Sequence, residues 1–345
     1  MIISEHGGDI YSREIDLDFS ANLNPFGMPE SVKNVIINSV SEWESYPDPL
    51  CRKLRCELSE YEDFPAENIV CGNGAADLIY RLVSAVKPKK AVITVPSFSE
   101  YEKALAENKT ELTRYYLSEK ADFMVDEGVL DILDDSVDML FLCSPNNPTG
   151  RLAAEKILKA AAEKCFKNDI IFICDECFLP FVTDSISKSI REFMNEKIVI
   201  LKAFTKIYAM AGLRLGYALF GDEKLAEKVQ HTGQYWSVST PAQLAGIAAL
   251  KETEYIEKTV ELIKKEREFL MAELKKFGFK VYSSEANFIL FRCGIPLDDM
   301  LLKEKIAIRN CSNYEGLSEG CYRIAVRNHE ENTMLISAVR RCING

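Results

Sequence analysis

Short apolar runs recur along the chain at 68–71, 91–95, 139–143, 170–174, 198–201 and 215–220, separated by polar or Gly- and Pro-containing stretches. Runs this brief have the length of strands, and an unbroken apolar run fits a strand buried on both faces of a sheet. Segments with helical spacing lie between them, such as 75–86 and 154–165. The alternation predicts an α/β domain with a mostly parallel sheet, whose ligands sit beyond the carboxyl ends of the strands.

From about Glu254 the pattern changes. Ile256, Val260, Ile263, Leu270, Leu274 and Phe277 mark one face of a long charged helix, closed by Gly278. Strand-like stretches at 279–282, 287–291, 306–308 and 322–326 and a final helix at 331–342 follow. They predict a second, smaller α+β domain. No internal repeat or low-complexity linker is visible.

The 345 residues are 47% hydrophobic and 28% charged, the composition of an ordinary globular protein. A net charge of −11 argues against nonspecific nucleic-acid binding, yet leaves room for a local basic pocket for an anionic substrate. The opening residues lack a signal pattern and no apolar run approaches membrane-spanning length, so a cytoplasmic protein without membrane contact is expected. Eleven cysteines then read as reduced thiols. Cys174 and Cys177 form a C-x-x-C, but no second such pair completes a metal site, and with three histidines (His6, His231, His329) no metal is expected.

Candidate chemistry concentrates at 198–221. An apolar strand leads to Lys206 in a short polar turn; Arg214 follows eight residues later, before a second apolar run. A lysine beside an apolar strand end loses its proton more easily and can act as an amine nucleophile, while arginine offers a fixed fork to phosphate or carboxylate. Lys202, near the same strand end, is a rival nucleophile. Gly72-Asn73-Gly74-Ala75-Ala76 leaves a strand and opens a helix, where backbone N–H groups favour an anion. Phe98 sits just past another strand and offers a flat ring for stacking, with Tyr101 close by. Ser144-Pro145-Asn146-Asn147-Pro148-Thr149-Gly150 is a loop stiffened by its prolines. Asp175, at the mouth of the sheet, is a carboxylate in need of a partner. Strand alternation puts Arg323 and Arg327 on one face. Each motif alone also fits a structural role as surface charge, ordinary turn or core ring.

Taken in this order, the motifs resemble those of the pyridoxal-phosphate-dependent aminotransferase superfamily, class I/II, of fold type I, over nearly the whole chain. The resemblance implies a large domain at 36–235 with a mostly parallel, seven-stranded-type sheet, and a smaller α+β domain at 236–345. An N-terminal arm at 1–35 would pack with the small domain. It further implies that Lys206 carries pyridoxal 5'-phosphate as an imine, that Asp175 pairs with the ring nitrogen, and that Phe98 stacks on the ring. Asn147 would bond the phenolic oxygen, with Gly74, Ala75, Ala76, Thr205 and Arg214 around the phosphate. Tyr46, in Tyr46-Pro47-Asp48-Pro49, would reach the cofactor of a neighbouring subunit in a homodimer. Arg323 would take the substrate's α-carboxylate.

Two departures stand out. Phe178 replaces the usual tyrosine, and Ala203 replaces a Ser or Thr whose phosphate bond is worth about 1 kcal/mol; Thr205 could compensate. Within the superfamily, His6-Gly7-Gly8, the stretch from Asp18 to Pro25, Phe178 and the stretch from Ile308 to Leu317 are similar to threonine-phosphate decarboxylases of cobalamin side-chain synthesis. That branch implies decarboxylation of L-threonine O-3-phosphate to aminopropanol phosphate, with the substrate phosphate among His6, Asn24, Arg309 and Arg327. The alternatives are a histidinol-phosphate aminotransferase, an aminotransferase of broader range, and a non-catalytic binding protein that keeps the fold.

Overall fold

A computed structural model describes residues 6–344, so the first five residues of the expected arm and the last residue of the expected small domain lie outside the described residues. The described chain opens with a two-residue strand, β1 (Leu17–Asp18). A seven-stranded sheet follows: β2 (Ile69–Gly72), β3 (Lys90–Val95), β4 (Glu111–Tyr116), β5 (Met139–Cys143), β6 (Ile171–Asp175), β7 (Ile198–Ala203) and β8 (Gly216–Phe220). Its spatial order is β2-β8-β7-β6-β5-β3-β4. Only β8 runs against its neighbours, so the sheet is mostly parallel and the expected α/β class is the one observed.

Alternate residues of each central strand enter two different cores. In β6, Phe172 and Cys174 pack on one side of the sheet and Ile173 on the other. Helices Ala75–Val86, Ser99–Glu107 and Glu223–Gln230 cover the second face through Leu78, Leu82, Ala104, Leu105 and Val229. This two-sided burial is why these strands read as unbroken apolar runs. Strand β4 escaped that reading. It is an edge strand paired only with β3, its residues are half-buried or exposed, and its sequence is accordingly mixed.

Beyond the long helix Thr253–Lys276 come β9 (Lys280–Val281), β10 (Phe288–Arg292), β11 (Ile306–Ala307), β12 (Arg309–Asn310) and β13 (Cys321–Ala325). Gly278, at φ +76°, turns the chain out of that helix in the left-handed conformation that favours glycine. Strands β12-β13-β10-β9 form an antiparallel sheet, and the chain ends in helix His329–Asn344. Strand β11 instead pairs in parallel with β1, Leu17 opposite Ile306, which ties the start of the chain to its last third. No helix among the described residues is long and apolar enough to cross a membrane.

Candidate active site

At the carboxyl ends of β3, β5, β6 and β7 lies a cavity of about 440 Å³. Ala75, Ala76, Phe98, Asn147, Asp175, Thr205, Lys206, Arg214, Arg323 and His6 all reach it, so segments from seven parts of the sequence meet there.

Lys206 sits in the turn Phe204–Ile207 that follows β7. The turn is pinned from behind by Asn24, whose backbone N–H donates to the carbonyl of Lys206 (3.1 Å) and whose amide donates to the Ile207 carbonyl (2.7 Å) and to Thr259 (2.7 Å). Burial pushes the Lys206 ammonium down to about 8; the guanidinium groups of Arg323 and Arg214 add to this, against Cys177 and Asp175. Lys202 meets the opposite fate. Its side chain enters a separate cavity and pairs with both oxygens of Glu62 at 3.0 Å. Burial again acts to lower it, but the Glu62 and Glu176 carboxylates prevail and hold it above its ordinary value. Of the two lysines on this strand end, Lys206 alone is set up as an amine.

Asp175 ends β6 with both oxygens bonded: the Tyr101 hydroxyl donates to Oδ2 (2.5 Å) and the Cys177 N–H to Oδ1 (2.9 Å). Asn147 Oδ1 accepts from Arg323 Nη1, which leaves its amide N–H2 as the group available to a ligand. Arg323 comes from β13, is 5% exposed, donates Nη2 to the Ser20 carbonyl (3.0 Å) and lies 5.4 Å over the Phe288 ring. Its Nε is buried without a partner. The Lys206 ammonium is 6.0 Å from the Phe178 ring, which offers no hydroxyl.

The turn from β2 into helix Ala75–Val86 brings Gly74 against Arg214. A Cβ on Gly74 would lie 2.6 Å from Arg214 Nη2, and one on Gly216 would lie 2.6 Å from the Ala75 nitrogen. The helix has no side-chain cap, so its first N–H groups remain for an anion. This donor set suits pyridoxal 5'-phosphate: an amine of lowered basicity, a carboxylate, an aromatic face, and a cationic cradle that glycines keep open.

Four expected residues lie elsewhere. Asn24 braces the lysine turn. Arg327 lies two residues past the end of β13, so strand alternation no longer governs it; it donates to the Asp18 carbonyl (3.1 Å) and pairs with Glu331 (2.7 Å). Arg309 lines an adjoining cavity, donates to Asn313 (2.9 Å) and lies 5.4 Å over the Tyr314 ring. Tyr46 is 80% exposed and stacks on Trp236 at 4.5 Å. His6 does line the cavity, held to Glu100 at 2.9 Å with its ring 5.8 Å from that of Phe98.

Several lining residues escaped the sequence reading, among them Asn22, Glu100, Cys177 and Tyr314. Asn22 is 4% exposed and its amide oxygen is buried without a partner. The stretch from Asp18 to Pro25 was visible as a motif, but nothing in it separates Asn22 from Asn24.

The family profile of aminotransferases of class I and II matches residues 14–339. The threonine-phosphate decarboxylase of Salmonella typhimurium is 36% identical, covering 99% of this chain and 97% of that protein. The histidinol-phosphate aminotransferase of Methanococcoides burtonii is 33% identical over 93% of this chain and 89% of its own length. The crystal structure of the histidinol-phosphate aminotransferase from Clostridium acetobutylicum superposes with a TM-score of 0.89 at 34% identity, covering 95% of this chain and 99% of that one.

Proposed function

Since the chain belongs to the class I and II aminotransferase family and is a pyridoxal-phosphate enzyme, we propose that its reaction is decarboxylation of L-threonine O-3-phosphate. The observation that carries the choice is the likeness to a threonine-phosphate decarboxylase, which runs over 99% of the chain. Bound, the cofactor supplies an electron sink for the pair left at Cα when a bond there breaks.

The chain's own residues divide the remaining work. Lys206 Nζ offers an amine to the cofactor carbonyl and afterwards returns a proton to Cα. Asp175 pairs with the ring nitrogen, Phe98 covers one face of the ring, and the Asn147 amide donates to the phenolic oxygen. The N–H groups at Ala75 and Ala76, with Thr205 and Arg214, would take the cofactor phosphate, while Gly74, whose own N–H donates to the Gly72 carbonyl (2.8 Å), leaves room for Arg214. Arg323 grips the substrate carboxylate and sets its angle to the ring, while the end of the cavity near His6, with Arg309 behind Tyr314, receives the substrate phosphate. The exposed Tyr46–Trp236 pair suits a two-fold interface, and we infer a homodimer in which Tyr46 reaches the neighbouring site.

Histidinol-phosphate transamination is the second reading, favoured by the 34% identity and TM-score of 0.89 to a solved enzyme of that kind. The test is to incubate holoprotein with L-threonine O-3-phosphate, without a keto acid, and to measure carbon dioxide. Steady release that Lys206→Ala abolishes supports decarboxylation. Glutamate formed from histidinol phosphate and 2-oxoglutarate, with no carbon dioxide, overturns it.

A further inference from the structure

Tyr101 occupies the first turn of helix Ser99–Glu107, with 1% of its surface exposed. Its ring needs no hydroxyl to pack. It stacks on Phe141 at 5.0 Å and 17° and meets the edge of Phe98 at 5.8 Å and 83°. Phenylalanine would fill the same space. The hydroxyl nevertheless lies deep in the protein, where an unbonded polar group is costly, and it donates to Asp175 Oδ2. With the Cys177 N–H on Oδ1, two donors on different segments fix the rotation of one carboxylate.

The same ring that bonds Asp175 also braces Phe98. Tyr101 therefore links the group at the edge of the cofactor ring to the group over its face, across 74 residues of sequence. We propose that Tyr101 is a positioning residue that holds the Asp175 carboxylate in line with the cofactor's ring nitrogen. This rests on the reading of Asp175 as the partner of that nitrogen. Burial, and next the negative charge of Asp175, push the Tyr101 hydroxyl well above its ordinary value, so it stays a donor throughout the working pH range.

The test compares the full-length chain with Tyr101→Phe and Asp175→Ala, each reconstituted with pyridoxal 5'-phosphate or with its analogue carrying C–H in place of the ring nitrogen. Dissociation constants are read by absorbance titration, alongside the pH midpoint of the visible band. Tyr101→Phe is expected to weaken pyridoxal phosphate roughly tenfold, as for one hydrogen bond to a charged group, and to move the pH midpoint. It should bind the analogue as tightly as the wild type does. Unchanged binding and midpoint for Tyr101→Phe, with Asp175→Ala impaired, would overturn the proposal and leave the Asp175 reading standing. Equal weakening of cofactor and analogue would reduce Tyr101 to a packing role. If Asp175→Ala still discriminates between cofactor and analogue as strongly as the wild type does, the Asp175 reading itself fails.

Discussion

Lys206→Met should make the cofactor-free chain more stable at neutral pH. The native protein lowers this ammonium from its ordinary 10.5 to about 8, chiefly by burying it. Methionine keeps most of the apolar stem and removes the charge. Below pH 8 lysine is protonated in both folded and unfolded chains, and the folded state then carries the whole penalty, about 3 kcal/mol. Between pH 8 and 10.5 the unfolded chain holds more protons, so the wild type gains stability as pH rises through that window. Above 10.5 the penalty is gone. Denaturant unfolding of both proteins at pH 7, 9 and 10.5 measures the difference directly, and terms common to the two cancel. The variant is expected to lead by about 3 kcal/mol at pH 7 and to lose most of that lead by pH 10.5. A variant less stable at pH 7, or a difference that ignores pH, would refute the account of a lysine held under strain for reactivity.

Arg323→Ala should lower kcat/KM by about 100-fold, from the loss of a fork worth about 3 kcal/mol, and Arg323→Lys should recover little of it, as steady-state kinetics would measure. Glu62→Ala removes the buried carboxylate that pairs with half-buried Lys202 and should destabilise the fold by about 3 kcal/mol; adding Lys202→Met should reduce that loss, a pattern thermal or denaturant unfolding would detect. Gly74→Ala forces a side chain into φ +82° and against Arg214 Nη2, so it should cost about 1–2 kcal/mol of stability and weaken pyridoxal phosphate severalfold in an absorbance titration.

What the sequence made legible follows from how local each constraint is. Strands β3, β5 and β7 declare themselves because both faces are buried, whereas edge strand β4 answers to one neighbour and half to solvent. The spacing of Lys206 and Arg214 is readable because one short loop between adjacent strands holds both. Asp175 is readable as a polar residue ending an apolar run. Arg327 lies two residues beyond Ala325, where β13 stops, so alternation along the strand does not fix where its side chain goes. The bond from Tyr101 to Asp175 leaves no trace in spacing, since it joins the helix after β3 to the end of β6, which only the folded sheet brings together.

The pairing of β1 with β11 bears on the order in which the protein is made. All strands of the seven-stranded sheet have been synthesised by Phe220, so Lys206, Asp175 and the Gly74 turn can assemble early. The partner of Leu17–Asp18 arrives only with Ile306–Ala307. At about 5–20 residues per second that is a lag of several seconds, during which the arm bearing His6, Asn22 and Asn24 has no strand to join. Until then only side-chain and loop contacts, such as those of Asn24 with Lys206 and Ile207, can hold the arm to the sheet domain.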